Sequence, residues 1–342
     1  MQKVSNSRID DFLKAICAGR KVFAHERDGN QYHMVKSGAW IPGTHTLAPY
    51  RAVEPLKSLV FKPRESLGSL SGNGAVPAAD DSIVLGVKNC DLSALKIHDY
   101  VFLKCDPPDP FYAEARGKTI LVSCDCTDAR DVCFCPAVYQ QPYPTEGFDI
   151  NLSEVSSGYV VEAGSDAGEK VLKNAAGLLE PADGAVIEDR NKRRQLMMQK
   201  VSEQSGLAGM PCKADFQKAI RKSEESGLWG SFAENCVECG ACNLCCCTCH
   251  CFLLADGVGS DKSVSRTKLW DACLYRNFAR VAGGANPRKH RAERLYNRFD
   301  KKFNFFPGVL GSYACDGCGR CIEACAGKID IRKVLRKAVD EL

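Results

Sequence analysis

No stretch of the 342-residue chain approaches the roughly 18 consecutive apolar residues of a membrane-crossing helix. The opening MQKVSNSRIDDF also lacks the basic-then-apolar course of a signal peptide. Neither sign of charge is in large excess. Lys and Arg total 46 against 42 Asp and Glu, a formal net charge of +4, too slight a surplus to imply nucleic acid or an anionic membrane. A phosphate-cradling glycine loop is missing as well: Gly72 and Gly74 in SGNGAVPAAD do not open a helix after a strand, so no flavin or nicotinamide nucleotide is expected on this chain. These absences leave a cytoplasmic protein without direct membrane insertion as the expectation. At 45% hydrophobic and 26% charged residues the composition is that of ordinary globular material, and the length suits two or three domains.

What the chain has in quantity is cysteine, 21 residues in all. In a reducing compartment disulfides explain so many thiols poorly, and metal or redox chemistry explains them better. The stretch CVECGACNLCCCTCHCF, Cys236 to Phe252, holds eight cysteines in seventeen residues. Cys236, Cys239 and Cys242 are spaced C-x2-C-x2-C, and Cys246 follows at x3, which is the bacterial ferredoxin run for a [4Fe-4S] cubane. The stretch CDGCGRCIEAC repeats the spacing with Cys315, Cys318, Cys321 and Cys325, and Gly319 stands where Gly240 does in the first run.

In two-cluster modules the fourth cysteine of each run ligates the other cluster. Cys236, Cys239, Cys242 and Cys325 are therefore assigned to one cubane, and Cys315, Cys318, Cys321 and Cys246 to its partner. Structural zinc on paired C-x2-C units needs only four ligands and leaves the third and fourth cysteine of both runs without a role. A proline usually follows the fourth cysteine, but Cys247 and Ala326 stand there. Cys245, Cys246 and Cys247 are consecutive, and the spacing favours Cys246 over its neighbours without excluding them.

Elsewhere, residues 7 to 19 read as an amphipathic helix capped by Ser7, with Ile9, Phe12, Leu13 and Ile16 on one face. Lys21 to Val35 reads as a hairpin turning at Asp28-Gly29 and Asp149 to Gly164 as another turning at Ser157-Gly158, with a Pro/Gly/Ser-rich loop region from Trp40 to Asp80. Two apolar strands end in cysteines: SIVLGVKNCD, leading into a helix from Leu92 to Leu103, and KTILVSCDC, followed by CFC at Cys133 to Cys135. If the strands are parallel neighbours, their carboxyl ends form a ligand-binding crevice. Cys90, Cys124, Cys133 and Cys135 meet there either as ligands of a third cubane or as inert buried thiols, with Phe134 facing away from its neighbours. Helices are expected at Asp166 to Leu179, Ile187 to Gln204 and Ala214 to Ser226. The basic run from Arg276 to Lys302 reads as a solvated helix face, with stabilisation of reduced clusters or docking of an acidic partner as its second meaning. The fold class is thus an α+β or α/β N-terminal domain, residues 1–206, followed by a mostly helical, loop-rich ferredoxin-like two-cluster domain, residues 207–342.

The course CVECGACNLCCCTCHCF, LWDACLYRNFARVAGGANPR, ERLYNRFDKKF and CDGCGRCIEAC, together with NCDLSALKIHD and CFC, resembles the family of iron-sulfur proteins that includes the iron-sulfur subunit of anaerobic sulfite reductase and the beta subunit of sulfhydrogenases. The resemblance implies an electron-transfer subunit placed between a flavoprotein subunit, which binds FAD and oxidises NAD(P)H, and a catalytic redox subunit. That last place can be filled by a hydrogenase, a sulfite reductase or a heterodisulfide-reductase-like enzyme. The resemblance also implies a third cluster on Cys90, Cys124, Cys133 and Cys135, and it brings counterparts of Cys249, Cys251 and Cys273. These three can share a cluster with another residue, support one without ligating it, or replace an assigned ligand. The alternative reading is an iron-sulfur enzyme that reduces a substrate at an open iron site on those three. No acid, base or nucleophile is assigned.

Overall fold

The computed structural model describes residues 1–69, 76–207, 213–258, 260 and 263–341; Gly72, Gly74 and Cys212 lie outside them. Twelve strands are present among the described residues: β1 (Gln2–Ser5), β2 (Lys21–Asp28), β3 (Gln31–Ser37), β4 (His45–Thr46), β5 (Arg64–Ser69), β6 (Ser82–Val87), β7 (Thr119–Cys124), β8 (Ile150–Val155), β9 (Gly158–Ala163), β10 (Glu180–Pro181), β11 (Phe252–Val258) and β12 (Val264–Trp270). Nine form one sheet in the order β10-β1-β9-β8-β7-β6-β2-β3, with β4 against β2. The middle is parallel, β2 to β6, β6 to β7 and β7 to β8. Both faces of that middle are covered, so β6 reads as an unbroken apolar run. Ile83, Leu85 and Val122 face the core under the helix Ile9–Cys17, while Val84, Val87 and Leu121 face the core under the helix Asn89–Leu103.

Both hairpins form, with Asp28 opposite Gln31 and Val155 opposite Gly158. The first helix begins later than expected, with Arg8 in the position before its first residue and no side chain capping it; the Ser7 hydroxyl lies instead 3.1 Å from that of Ser5. The helix after β6 starts at Asn89, so Cys90 sits in a first helical turn.

In the C-terminal part, helices Lys213–Lys222, Leu228–Ala233, Arg291–Asp300 and Ile331–Asp340 enclose a core of Trp229, Phe299, Phe303 and Leu335. A hairpin of β11 and β12 was not expected there, and it pairs with β5 from the loop-rich region before residue 80. Residues on either side of the expected boundary at 206 also meet through buried charge. Arg320 donates to both oxygens of Asp91, at 3.0 and 2.7 Å, and to the carbonyls of Ala52, Val53 and Glu54. The planar guanidinium suits such a site because its five donors are held in a fixed fork. Arg320→Met is expected to lower the unfolding free energy of the anaerobic protein by about 3–5 kcal/mol, since it strands a buried carboxylate. Urea titration measures this, and an unchanged midpoint refutes it.

Candidate metal centres

The two cysteine runs fold alike. Each has a left-handed residue two and four positions after its first cysteine, Glu238 (φ 59°) and Gly240 (φ 71°) in one, Gly317 (φ 65°) and Gly319 (φ 72°) in the other. Each then enters a short helix, Ala241–Leu244 or Arg320–Glu323. The glycines answer to that backbone and to close protein neighbours. A Cβ at Gly240 would stand 2.5 Å from the Tyr275 ring, and one at Gly317 would stand 2.5 Å from the backbone of Cys135.

Cys236, Cys239, Cys242 and Cys325 line one cavity, site A, together with Arg298 and Cys321. The fourth cysteine of the second run thus joins the first three of the first run. Burial pushes the Cys242 thiol up to about 11, and Cys325 and Cys236 beside it add to the rise. Site B gathers Cys315, Cys318 and Cys321 around Cys246. Burial raises Cys321 to about 12, with Cys246, Cys318 and Cys242 contributing. Cys315 is raised by burial, and by Cys321 and Cys246. Cys247, in the usual proline position, has its sulfur 3.8 Å from that of Cys318 and 3.5 Å from Asp316 Oδ2. Cys245 also lies beside Cys321, Cys246 and Cys318.

Site C is at the carboxyl ends of β6 and β7, as the strand pattern led one to expect, but with a different fourth thiol. Cys90, Cys126, Cys133 and Cys135 line the cavity, with Arg51, Gly317 and Cys318 on its far wall. Cys124 is not there. It ends β7 opposite Leu152 and packs into the sheet core with Phe12 and Ile16. The chain leaves the sheet after Asp125, whose N–H donates to Leu152 O, and Cys126 then turns inward with its N–H on Pro142 O. Phe134 does point away from its flanking cysteines, into the C-terminal core beside Val138 and Phe216, and its N–H donates to Gly317 O at 2.8 Å. The signal for Cys126 was in the sequence, two residues after Cys124, but nothing local ranked one above the other.

Apart from the half-buried Arg288, the basic run divides into two sets. Arg276, Arg280, Lys289, Arg291 and Lys301 are exposed, whereas Arg294, Arg298 and Lys302, spaced by four, are buried. The helix Arg291–Asp300 passes into a π-turn, Lys301–Phe305, that carries Lys302. Lys302 Nζ donates to Cys246 Sγ at 3.2 Å, to Thr248 Oγ1 at 2.8 Å and to Ala314 O at 2.9 Å. Burial opposes its charge, yet Cys246 and Cys249 hold its pKa well above the ordinary lysine value. Arg298 is held up the same way by Cys242, Cys321, Cys249 and Cys246 against the opposing effect of burial. Arg51 donates to Cys318 O at 2.7 Å and to Glu323. These cations are what negatively charged clusters require nearby.

The thiols of sites A, B and C come four to a site, the number that a cubane takes from a protein. Among the described residues no three His, Cys, Asp or Glu side chains close on one point tightly enough for one ion, whereas sulfurs round a single zinc each stand about 2.3 Å from it. The cavities at A and C measure about 40 and 30 Å³, beyond the roughly 10–15 Å³ that one water needs. Cys249, Cys251 and Cys273 line a further cavity of about 160 Å³ with Asn243, Arg298 and Lys302.

Residues 235–329 match the 4Fe-4S dicluster domain family. Over 290 residues the chain is 29% identical to sulfhydrogenase 2 subunit beta of Pyrococcus furiosus, with 83% of each chain covered. Among the described residues no helix is long and apolar enough to cross a membrane.

Proposed function

We propose that this member of the iron-sulfur subunit family, with its 4Fe-4S dicluster domain, relays single electrons inside a multisubunit oxidoreductase. Its neighbours in that complex are a flavoprotein subunit that oxidises NAD(P)H and a catalytic redox subunit, a place that fits a relative named as a sulfhydrogenase beta subunit. Residues 235–329 are read as a ferredoxin-like pair of cubanes, on Cys236, Cys239, Cys242 and Cys325 and on Cys315, Cys318, Cys321 and Cys246. A third is read on Cys90, Cys126, Cys133 and Cys135.

One observation carries the reading. Cys321, read as a ligand of site B, lines the cavity of site A, and Cys318, read as another ligand of site B, lines the cavity of site C. Neighbouring sites are therefore one side chain apart, in a row A–B–C. Each cubane, when bound, takes up and gives back one electron. The chain's own part is to hold the sites at that spacing, to keep water from B by burying Cys246 and Cys315, and to set charge beside them with Lys302, Arg298 and Arg51. Site A reaches the surface, since Cys239 is exposed and Val237 is 61% exposed, so a partner can approach it.

Titrated anaerobically with dithionite, the isolated full-length protein is expected to show paramagnetic signals split by coupling between adjacent reduced clusters, and to oxidise no NAD(P)H by itself. Uncoupled signals, or turnover of NAD(P)H or sulfite by the isolated chain, contradict the relay.

A further inference from the structure

The cavity lined by Cys249, Cys251 and Cys273 belongs to none of the three sites above. At about 160 Å³ it is several times the size of the cavities at A and C. It is a partly open pocket with apolar as well as polar lining, and its polar side chains Asn243, Thr248, Arg298 and Lys302 gather beside the three thiols. Its walls are prepared for negative charge. Asn243 Nδ2 donates to Cys273 Sγ at 3.0 Å and lies 3.7 Å from Cys249 Sγ. Lys57, itself buried, donates to the Cys249 carbonyl at 2.8 Å. Lys302 and the 5%-exposed Arg298 complete the wall, and Arg298 Nη1 is buried with no hydrogen-bond partner among the described residues. A guanidinium nitrogen left bare in the interior is costly unless something anionic meets it, and Arg298, whose Nη2 donates to Cys242 O at 3.2 Å, borders site A as well as this cavity.

We propose that this cavity holds a fourth iron-sulfur cubane, bound by Cys249, Cys251 and Cys273, whose remaining iron takes a small anionic ligand in place of a fourth cysteine. No fourth thiol lines the cavity among the described residues. His250 does line it, but lies between the rings of His98 and Phe306, with Nδ1 3.1 Å from Thr248 O. The site is next to the relay: Cys273 is near enough to Cys242 to raise its pKa, Cys249 approaches Cys246, and Arg298 also lines site A. A cluster here is a branch or terminus for electrons, with one iron able to exchange its ligand. The inference rests on the relay reading only for that last role; the cluster itself does not depend on it.

The test uses the full-length protein, produced anaerobically, with iron counted against wild type from the same preparation. Cys273→Ser and Cys251→Ser are each expected to lose about four irons per chain, while the signals of the clusters on Cys236 and Cys315 remain. A folded variant that keeps the wild-type iron content overturns the site. The two positions differ in burial, so if Cys273→Ser does not fold, Cys251→Ser decides. In wild type, ferricyanide is expected to draw one electron from the cluster as ferrous iron leaves the cysteine-free corner, producing the spin-half signal of a three-iron cluster; no such signal refutes the open iron. Coupled signals from A and B alongside unchanged iron in the variants would sink this inference and leave the relay standing.

Discussion

Cys325→Ala is expected to strip the cluster from Cys236, Cys239 and Cys242, almost ninety positions away in sequence at the far end, and to leave the cluster of Cys315, Cys318 and Cys321 in place. The loss should be about four irons per chain, read by anaerobic iron and sulfide analysis, with cluster spectroscopy identifying which site is gone. The reason is geometric. Cys325 follows Cys321 by four residues, but the short helix Arg320–Glu323 between them turns the chain, so its sulfur lies in the cavity of the first run. The Ile329 N–H donates to that sulfur at 3.2 Å and fixes its direction. A cubane left with three thiolates exposes one iron, and site A, at the surface through Cys239, has little to keep water from it. Damage confined to the second run would show that each run serves its own cluster.

Cys126→Ser is expected to remove a third cluster completely, whereas Cys124→Ser should keep its iron and lose only some stability. Cys126 lines the cavity at site C, and burial raises its thiol to about 12, with Cys133 nearby contributing. Cys124 is 4% exposed and stands in the sheet core, where its sulfur packs as a small apolar group. The comparison needs the full chain. One wall of the site is Gly317 and Cys318, and Phe134 N–H is held by Gly317 O, so a fragment ending near residue 206 would lack part of the cradle. Full iron content in Cys126→Ser, or equal losses in the two variants, would overturn the assignment.

The spacing of a ferredoxin run is local, because three cysteines two residues apart can wrap a cube face wherever the loop lies. Sequence alone therefore determined the two cysteine runs of a dicluster domain, and it led to the proposal that Cys246 and Cys325 exchange, as the fourth cysteines do in two-cluster modules. It also determined the strands β6 and β7 and both hairpins, since alternating or unbroken apolar runs between turn residues depend on little beyond neighbouring residues, whereas the parallel pairing of β6 with β7 came from the structure. Tertiary structure decided what depended on distant chain. Whether Cys124 or Cys126 reaches site C depends on where β7 stops pairing with β8, and the two lie too close in sequence for pattern to choose. Arg298 and Lys302 read as part of a solvated basic face because sequence does not record what packs opposite a helix; here that is a set of buried thiols, and the stripe at spacing four turns inward. The embrace of the two halves, through Arg320 on Asp91 and β5 on β12, joins segments about two hundred residues apart or more. No local propensity encodes such a contact, because the entropy of closing so long a loop is repaid only by partners that meet after both halves have formed.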